Sequence, residues 1–180
     1  LYYDVVGKIG PKQKIKPELM ITFSMGHAIH DVVQKALHTA LPGRFQDEVQ
    51  VNLYEAFVDN SRTDGLVELD HTRVLLEIKS IGNEFDRLTG PKKEHLVQAV
   101  GIYATALDTP FISFLYVSKK WPHSVKEFVV PYDPKIYERW WKKKGSVVEE
   151  ALELCEPPHA DATKDQCNFC PYAYACEQKL

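Results

Sequence analysis

Apolar and polar residues change their spacing several times along this chain, and each change marks an element. From Glu18 to Leu41 apolar positions recur with a helical period through Gly26, Ile29, Val33, Leu37 and Ala40, and Pro42-Gly43 ends the run. His30 lies within that stripe, whereas His27 shares a polar face with Asp31, Gln34 and His38. The pattern predicts one helix with His30 turned inward and His27 outward, and the plain alternative for His30 is a satisfied core histidine. Residues 1–20 hold the breakers Gly7, Gly10, Pro11 and Pro17 and are expected to be irregular. Glu48 to Val58 alternates loosely and predicts a strand, with Asp59-Asn60-Ser61 as a turn. Residues 62–68 and 74–80 then predict the two strands of a hairpin.

Residues 81–90 contain Gly82, Asn83 and Gly90 and predict a loop. Pro91 can open a helix running to Leu107. That helix is apolar nearly all round, so it should be buried, and His95, Gln98 and Thr105 form its one polar stripe. A buried polar stripe needs partners, and the hairpin could supply them. Residues 111–117 predict a buried strand, residues 125–130 another, and Pro134 opens a last helix to about Leu154. The order helix, three strands, helix, strand, strand, helix fits an α/β sandwich with a mixed sheet.

The hairpin carries the chemistry. In its second strand Leu75, Glu77 and Lys79 point one way and Val74, Leu76 and Ile78 the other. Charges at Glu77 and Lys79 within an apolar strand are costly without a task or a partner. A loop centred between Asp70 and His71 sets Asp64 directly opposite Glu77. Two carboxylates and an ammonium meeting there suggest a site for a hard metal with a charge-stabilising lysine. The competing reading is a buried Lys–Glu–Asp ion network, weakened because such networks contribute little net stability.

Composition narrows the partners. The 180 residues are 44% hydrophobic, enough for one good core. No apolar run reaches membrane-spanning length and no signal pattern is present, which suggests a soluble intracellular protein without a membrane partner. The chain starts at Leu1 without an initiator Met, as a fragment would. With 22 basic and 25 acidic residues the net charge is −3, against a broadly basic nucleic-acid coat. Local basic grooves remain open at Arg87, Lys92 and Lys93, and at Lys142-Lys143-Lys144 after Trp140-Trp141, with solvated faces as the alternative. All four cysteines fall after residue 150, which favours a metal or cluster module over a scattered disulfide framework. Cys167-x2-Cys170-x5-Cys176 is strong metal-binding spacing, and by itself admits zinc with a fourth ligand such as His159.

Taken in order, these residues resemble the PD-(D/E)xK nuclease superfamily, and more narrowly the RecB-like exonucleases of the CRISPR-associated and phage type with a C-terminal iron–sulfur module. Gly26-His27-Ala28-Ile29-His30 is similar to that family's Gly-x3-His helix, Asp64-Gly65 to its motif aspartate, Glu77-Ile78-Lys79 to its Glu-x-Lys core, and Gln98 to the glutamine of the following helix. The resemblance implies a mixed central sheet flanked by helices over residues 1–154 and a cysteine-ligated cluster module over 155–180. It implies Mg²⁺ or Mn²⁺ held by His30, Asp64, Glu77 and the Ile78 carbonyl, with Asp64, Glu77, Lys79 and Gln98 catalytic. It also implies a [4Fe–4S] cluster on Cys167, Cys170 and Cys176. The fourth ligand would be a cysteine upstream of Leu1, or else Cys155.

The family's tyrosine falls four residues after its glutamine, where this chain has Ile102. Tyr103 would face away from Gln98 in a regular helix, and a core aromatic is its expected role. The implied activity is exonucleolytic cleavage of DNA single strands or duplex ends, in the cytoplasm of a bacterial, archaeal or virus-infected cell, alongside recombination or CRISPR-adaptation proteins. Two readings compete with it: a non-catalytic DNA-binding subunit on the same fold, and a zinc-stabilised binding domain.

Overall fold

The structure is a computed structural model and describes residues 17–54, 58–120 and 123–157. Helix α1 spans Pro17–Ala40. Strands β1 (Phe45–Leu53), β2 (Val58–Leu69) and β3 (Thr72–Ile81) follow, then a short 3-10 turn at Phe85–Arg87. Helix α2 is continuous in three parts: α-helical Lys93–Gln98, a π-helical stretch Ala99–Ala104 and a last α-turn Thr105–Leu107. Strands β4 (Phe111–Ser118) and β5 (Val125–Pro131) precede helix α3. That helix begins at Pro134–Ile136, widens to π over Tyr137–Lys142 and ends as α over Lys143–Leu154.

The five strands lie in sequence order, antiparallel except for the parallel pair β3–β4 that α2 connects. This is the expected mixed sheet. Its two faces bury different side chains, as alternation demands. Leu75, Ile112, Phe114 and Tyr116 meet α2 in one core. Leu76, Ile78, Phe45, Val67 and Val117 meet Ile29, Val33, Leu37 and Leu41 at α1 in the other. Helix α3 packs on α2 through Tyr137, Ile136 and Trp141.

The β2–β3 hairpin turns on Asp70 and His71, both at positive φ, which is the two-residue loop whose twist suits paired strands. Its register pairs Leu69 with Thr72 and continues to Gly65 with Leu76, as the loop's centre requires.

Two expectations need correction. The first strand lies earlier than predicted, at Phe45–Leu53, because its apolar positions pair with Val67 and its neighbours. Residues 59–61 are not a turn but part of β2, which begins at Val58 and pairs Ser61 with Val51. Residues 82–90 form the expected loop, with local order of their own. They hold the 3-10 turn, and Lys126 of β5 donates to the carbonyls of Phe85, Asp86 and Leu88 at 3.0–3.1 Å. Cys155 caps α3 in the left-handed region at φ 56°. Cys167, Cys170, Cys176 and His159 lie outside the described residues.

Candidate active site

The site forms where β2 leaves β3. The hairpin ladder ends at Gly65–Leu76, and the next two residues of β2 replace backbone pairing with side chains. Thr63 Oγ1 donates to the Leu76 carbonyl at 3.1 Å, and the Ile78 amide donates to Asp64 Oδ2 at 2.6 Å. The Asp64 carboxylate is thus locked into the plane of the sheet at the gap between two strands. A strand residue's N–H and C=O point to the same side, so the Ile78 carbonyl faces this gap too.

Gly65 is small for a packing reason. A Cβ there would sit 2.3 Å from the Phe45 ring, so the aspartate's neighbour must be glycine for β1 to close over it.

On the β1 side, Glu48 holds a left-handed conformation at φ 49°, between the pairs Asp47–Gly65 and Val49–Thr63. Both strands therefore leave the ladder at Asp64 and at Glu48, the residue facing it. Gln34 of α1 fills the break: its Nε2 donates to the Asp64 carbonyl at 2.9 Å and lies 3.3 Å from Glu48 Oε1. The expectation that Gln34 faces solvent with His27 is wrong, since Gln34 is buried and His27 exposed. Gln34 stands four residues after His30, one turn along the same face, and that spacing was the available signal.

His30 is half-buried and sets Nδ1 3.0 Å from Asp64 Oδ1. With Nδ1 donating to that carboxylate, Nε2 is the atom His30 can offer to a ligand. Gly26, one turn earlier on α1, lies beside Ser80 of β3.

Glu77 is almost fully buried. Its Oε1 accepts from the Lys79 ammonium, two residues along the same strand face. Burial, reinforced by the Asp64 carboxylate, pushes Glu77 up to about 7 against the opposing pull of Lys79 and His30. Its other oxygen, Oε2, is buried with no hydrogen-bond partner in the structure. An orphaned carboxylate oxygen of that kind asks for a cation or a proton.

The polar stripe of α2 completes the wall. Gln98 Nε2 donates to the Tyr103 hydroxyl at 2.8 Å, which overturns the expectation that the two residues face apart. The cause is the π-helical stretch over residues 99–104, which takes in one more residue per turn and brings i and i+5 onto one face. Tyr103 is a buried core aromatic, as expected, and also lines the site. Burial first and Glu77 next push its phenol up to about 12. The indole of Trp141 donates to the Val97 carbonyl at 3.0 Å beside the widened turn, and only glycine fits beneath it at position 101. Nearer the strand end, His95 and the Lys92 amide both meet the Tyr116 hydroxyl.

The remaining basic candidates are spread out. Arg87 is exposed on the 3-10 turn, Lys92 pairs with Glu84, and Lys93 lies 4.9 Å from the Trp140 ring centroid. Lys142 pairs with Glu138, and Lys144 lies over Trp141.

The donor types suit a hard divalent ion: two carboxylates, an imidazole and a backbone carbonyl, with one carboxylate oxygen orphaned. As they stand, no three His, Cys, Asp or Glu side chains converge on one point among the described residues. Asp64 is engaged by His30 and the Ile78 amide, and Glu77 by Lys79.

No sequence-family model matches the chain, and no curated protein sequence matches it. Solved structures do. The crystal structure of SSO0001 aligns with a TM-score of 0.52 at 17% identity, covering 92% of this chain and 73% of that one. An alkaline exonuclease from Laribacter hongkongensis aligns with a TM-score of 0.55 at 16% identity, covering 84% and 74%. At these identities the likeness is one of fold. The five-stranded mixed sheet flanked by helices is the fold this chain shares with those two structures.

Proposed function

We propose that this protein is a metal-dependent deoxyribonuclease that hydrolyses phosphodiester bonds, acting as an exonuclease on single strands or duplex ends. The observation that carries the reading is the buried, unpartnered Glu77 Oε2, beside two ion pairs at the strand break, His30–Asp64 and Lys79–Glu77. The fold shared with an alkaline exonuclease supports it.

Asp64, Glu77, His30 and the Ile78 carbonyl would hold Mg²⁺ or Mn²⁺, which when bound supplies a water of lowered pKa and positive charge beside the phosphate. The Lys79 ammonium, on the same strand face as Glu77, would offset charge growing on the phosphoryl oxygens. Gln98, whose Nε2 donates to Tyr103, would hold the lysine, the water or a phosphate oxygen. Gln34 and the Ile78 amide hold the Asp64 backbone and carboxylate in place.

The test is cleavage of 5′- and 3′-labelled single- and double-stranded DNA with Mn²⁺ or Mg²⁺. Asp64→Ala and Lys79→Ala should each lower the rate by about a thousandfold or more while the circular dichroism spectrum is kept. Undiminished cleavage in either variant would sink the assigned site. The same divalent ions should raise the melting temperature of the wild type and not that of Asp64→Ala.

The mutual engagement of the acidic groups favours a second reading, a non-catalytic DNA-binding subunit that retains the fold. Metal binding without cleavage of any DNA form would select it. For the Cys167, Cys170 and Cys176 set we keep the proposal of a [4Fe–4S] cluster, with Zn²⁺ as its rival, and elemental analysis for iron and zinc decides between them.

A further inference from the structure

Beside Lys79 lies a cleft of about 410 Å³, bounded by the end of β3, the residues after it and the start of α2. Its polar lining is rich in donors: Lys79, Lys92, Asn83 and His95, with Glu84 as the one carboxylate.

The state of His95 follows from what lies behind it. Tyr116 is fully buried, and its hydroxyl oxygen accepts from the Lys92 amide at 3.0 Å. The same hydroxyl lies 2.8 Å from His95 Nδ1. The phenol has one proton to give. Were Nδ1 protonated, two donors would face one oxygen and the phenol proton would be left buried without an acceptor. The phenol therefore donates to Nδ1, and the imidazole carries its proton on Nε2. His95 is a wall residue of the cleft, and Nε2 is the ring nitrogen not turned to Tyr116. Burial first, then the charges of Lys79 and Lys92, lower the pKa of this ring, with Glu94 opposing them.

Two ammonium groups, a neutral imidazole N–H and an amide around one cleft match an anion with several oxygens. Glu84 already occupies Lys92 as such a ligand would, through an exposed ion pair that exchanges at little cost. We propose that the cleft binds a phosphodiester group of the substrate strand next to the one cut at Lys79, and that His95, held as its Nε2–H tautomer by Tyr116, donates to that group. The proposal rests on the nuclease reading only in calling the strand a substrate.

Binding is measured with cleavage silenced, by fluorescence anisotropy of a labelled short oligothymidylate in chelator at neutral pH. His95→Ala should weaken binding by about tenfold, as loss of a hydrogen bond to a charged group does. His95→Gln, which can restore an N–H near the Nε2 position, should recover most of it. Glu84→Gln should tighten binding a few-fold by freeing Lys92. In the ¹⁵N spectrum of the wild-type protein, His95 should show the Nε2–H tautomer and shift when the oligonucleotide is added.

Wild-type affinity in His95→Ala, or a proton on Nδ1, would overturn the proposal even if metal-dependent cleavage stands. The spectrum decides if His95→Ala does not fold. Inorganic phosphate alone shifting His95 at the concentrations where the oligonucleotide binds would overturn it in favour of a free-anion site. Absence of cleavage with the binding pattern intact would instead reject the nuclease reading and leave the cleft as a strand-binding site.

Discussion

At the residue scale the site is held by groups that a list of catalytic candidates omits. Gln34 donates to the Asp64 carbonyl, and Thr63 and the Ile78 amide complete the frame in which that carboxylate sits. Gln34→Leu preserves size and burial but removes the donor. It should lower metal affinity and the cleavage rate by about ten- to a hundredfold, the usual effect of losing a group that orients a ligand. Titration with Mn²⁺ alongside rate measurements checks this, and an unchanged metal affinity would reduce Gln34 to a packing role. The inward turn of His30 and the shared strand face of Glu77 and Lys79 were legible in the sequence because strand alternation and a helical stripe are local rules. Gln34 was assigned to the wrong face because a polar residue near other polar residues looks solvated. Its actual partner, the Asp64 carbonyl, is 30 positions away.

At the element scale the departures from regular geometry fall around the candidate site. The glutamine–tyrosine spacing of α2 is one residue longer than in the resembling family, and the π-helical stretch absorbs that residue. Deleting one residue between Ala99 and Ile102 should therefore close the turn to α, keep both halves of the helix on their faces and retain a glutamine–tyrosine pair. Circular dichroism, thermal melting and cleavage assays of the deletion check it, and a chain that no longer folds would reject it.

The segment after β3 is tied down in a comparable way, since the Lys126 ammonium serves three carbonyls. Lys126→Met keeps the apolar stem and leaves those carbonyls without their donor. It should cost about 1.5–3 kcal/mol in denaturant unfolding and speed amide exchange in residues 82–88. Unchanged exchange there would show that the 3-10 turn stands without it.

At the scale of the whole molecule, one sheet carries a core on each face, and titratable groups buried against it couple their charge to folding. Burial first, then Lys79, holds His95 below its ordinary value of 6.5, with Lys92 adding to the effect, Glu94 opposing it and Tyr116 packed against the ring. The unfolded chain thus takes up a proton there more readily than the folded one. The stability linked to His95 is complete above about 6.5 and is lost as pH falls below that value. The melting temperature of the wild type should fall faster than that of His95→Gln between neutrality and about pH 5. Parallel melting curves would reject the assignment of that loss to His95.

The sequence by itself determined the element order, the mixed sheet, the centre of the β2–β3 turn and the choice of His30 over His27. Each follows from periodicity or from turn chemistry acting over a few residues. Only the tertiary structure decided the rest. It set where β1 and β2 leave the ladder, and that the Gln34 amide holds Asp64. It also showed that a widened helix turn returns Tyr103 to Gln98, and that the buried Tyr116 hydroxyl meets His95 Nδ1. Each of those depends on a partner brought close by packing across the sheet, which no local spacing encodes.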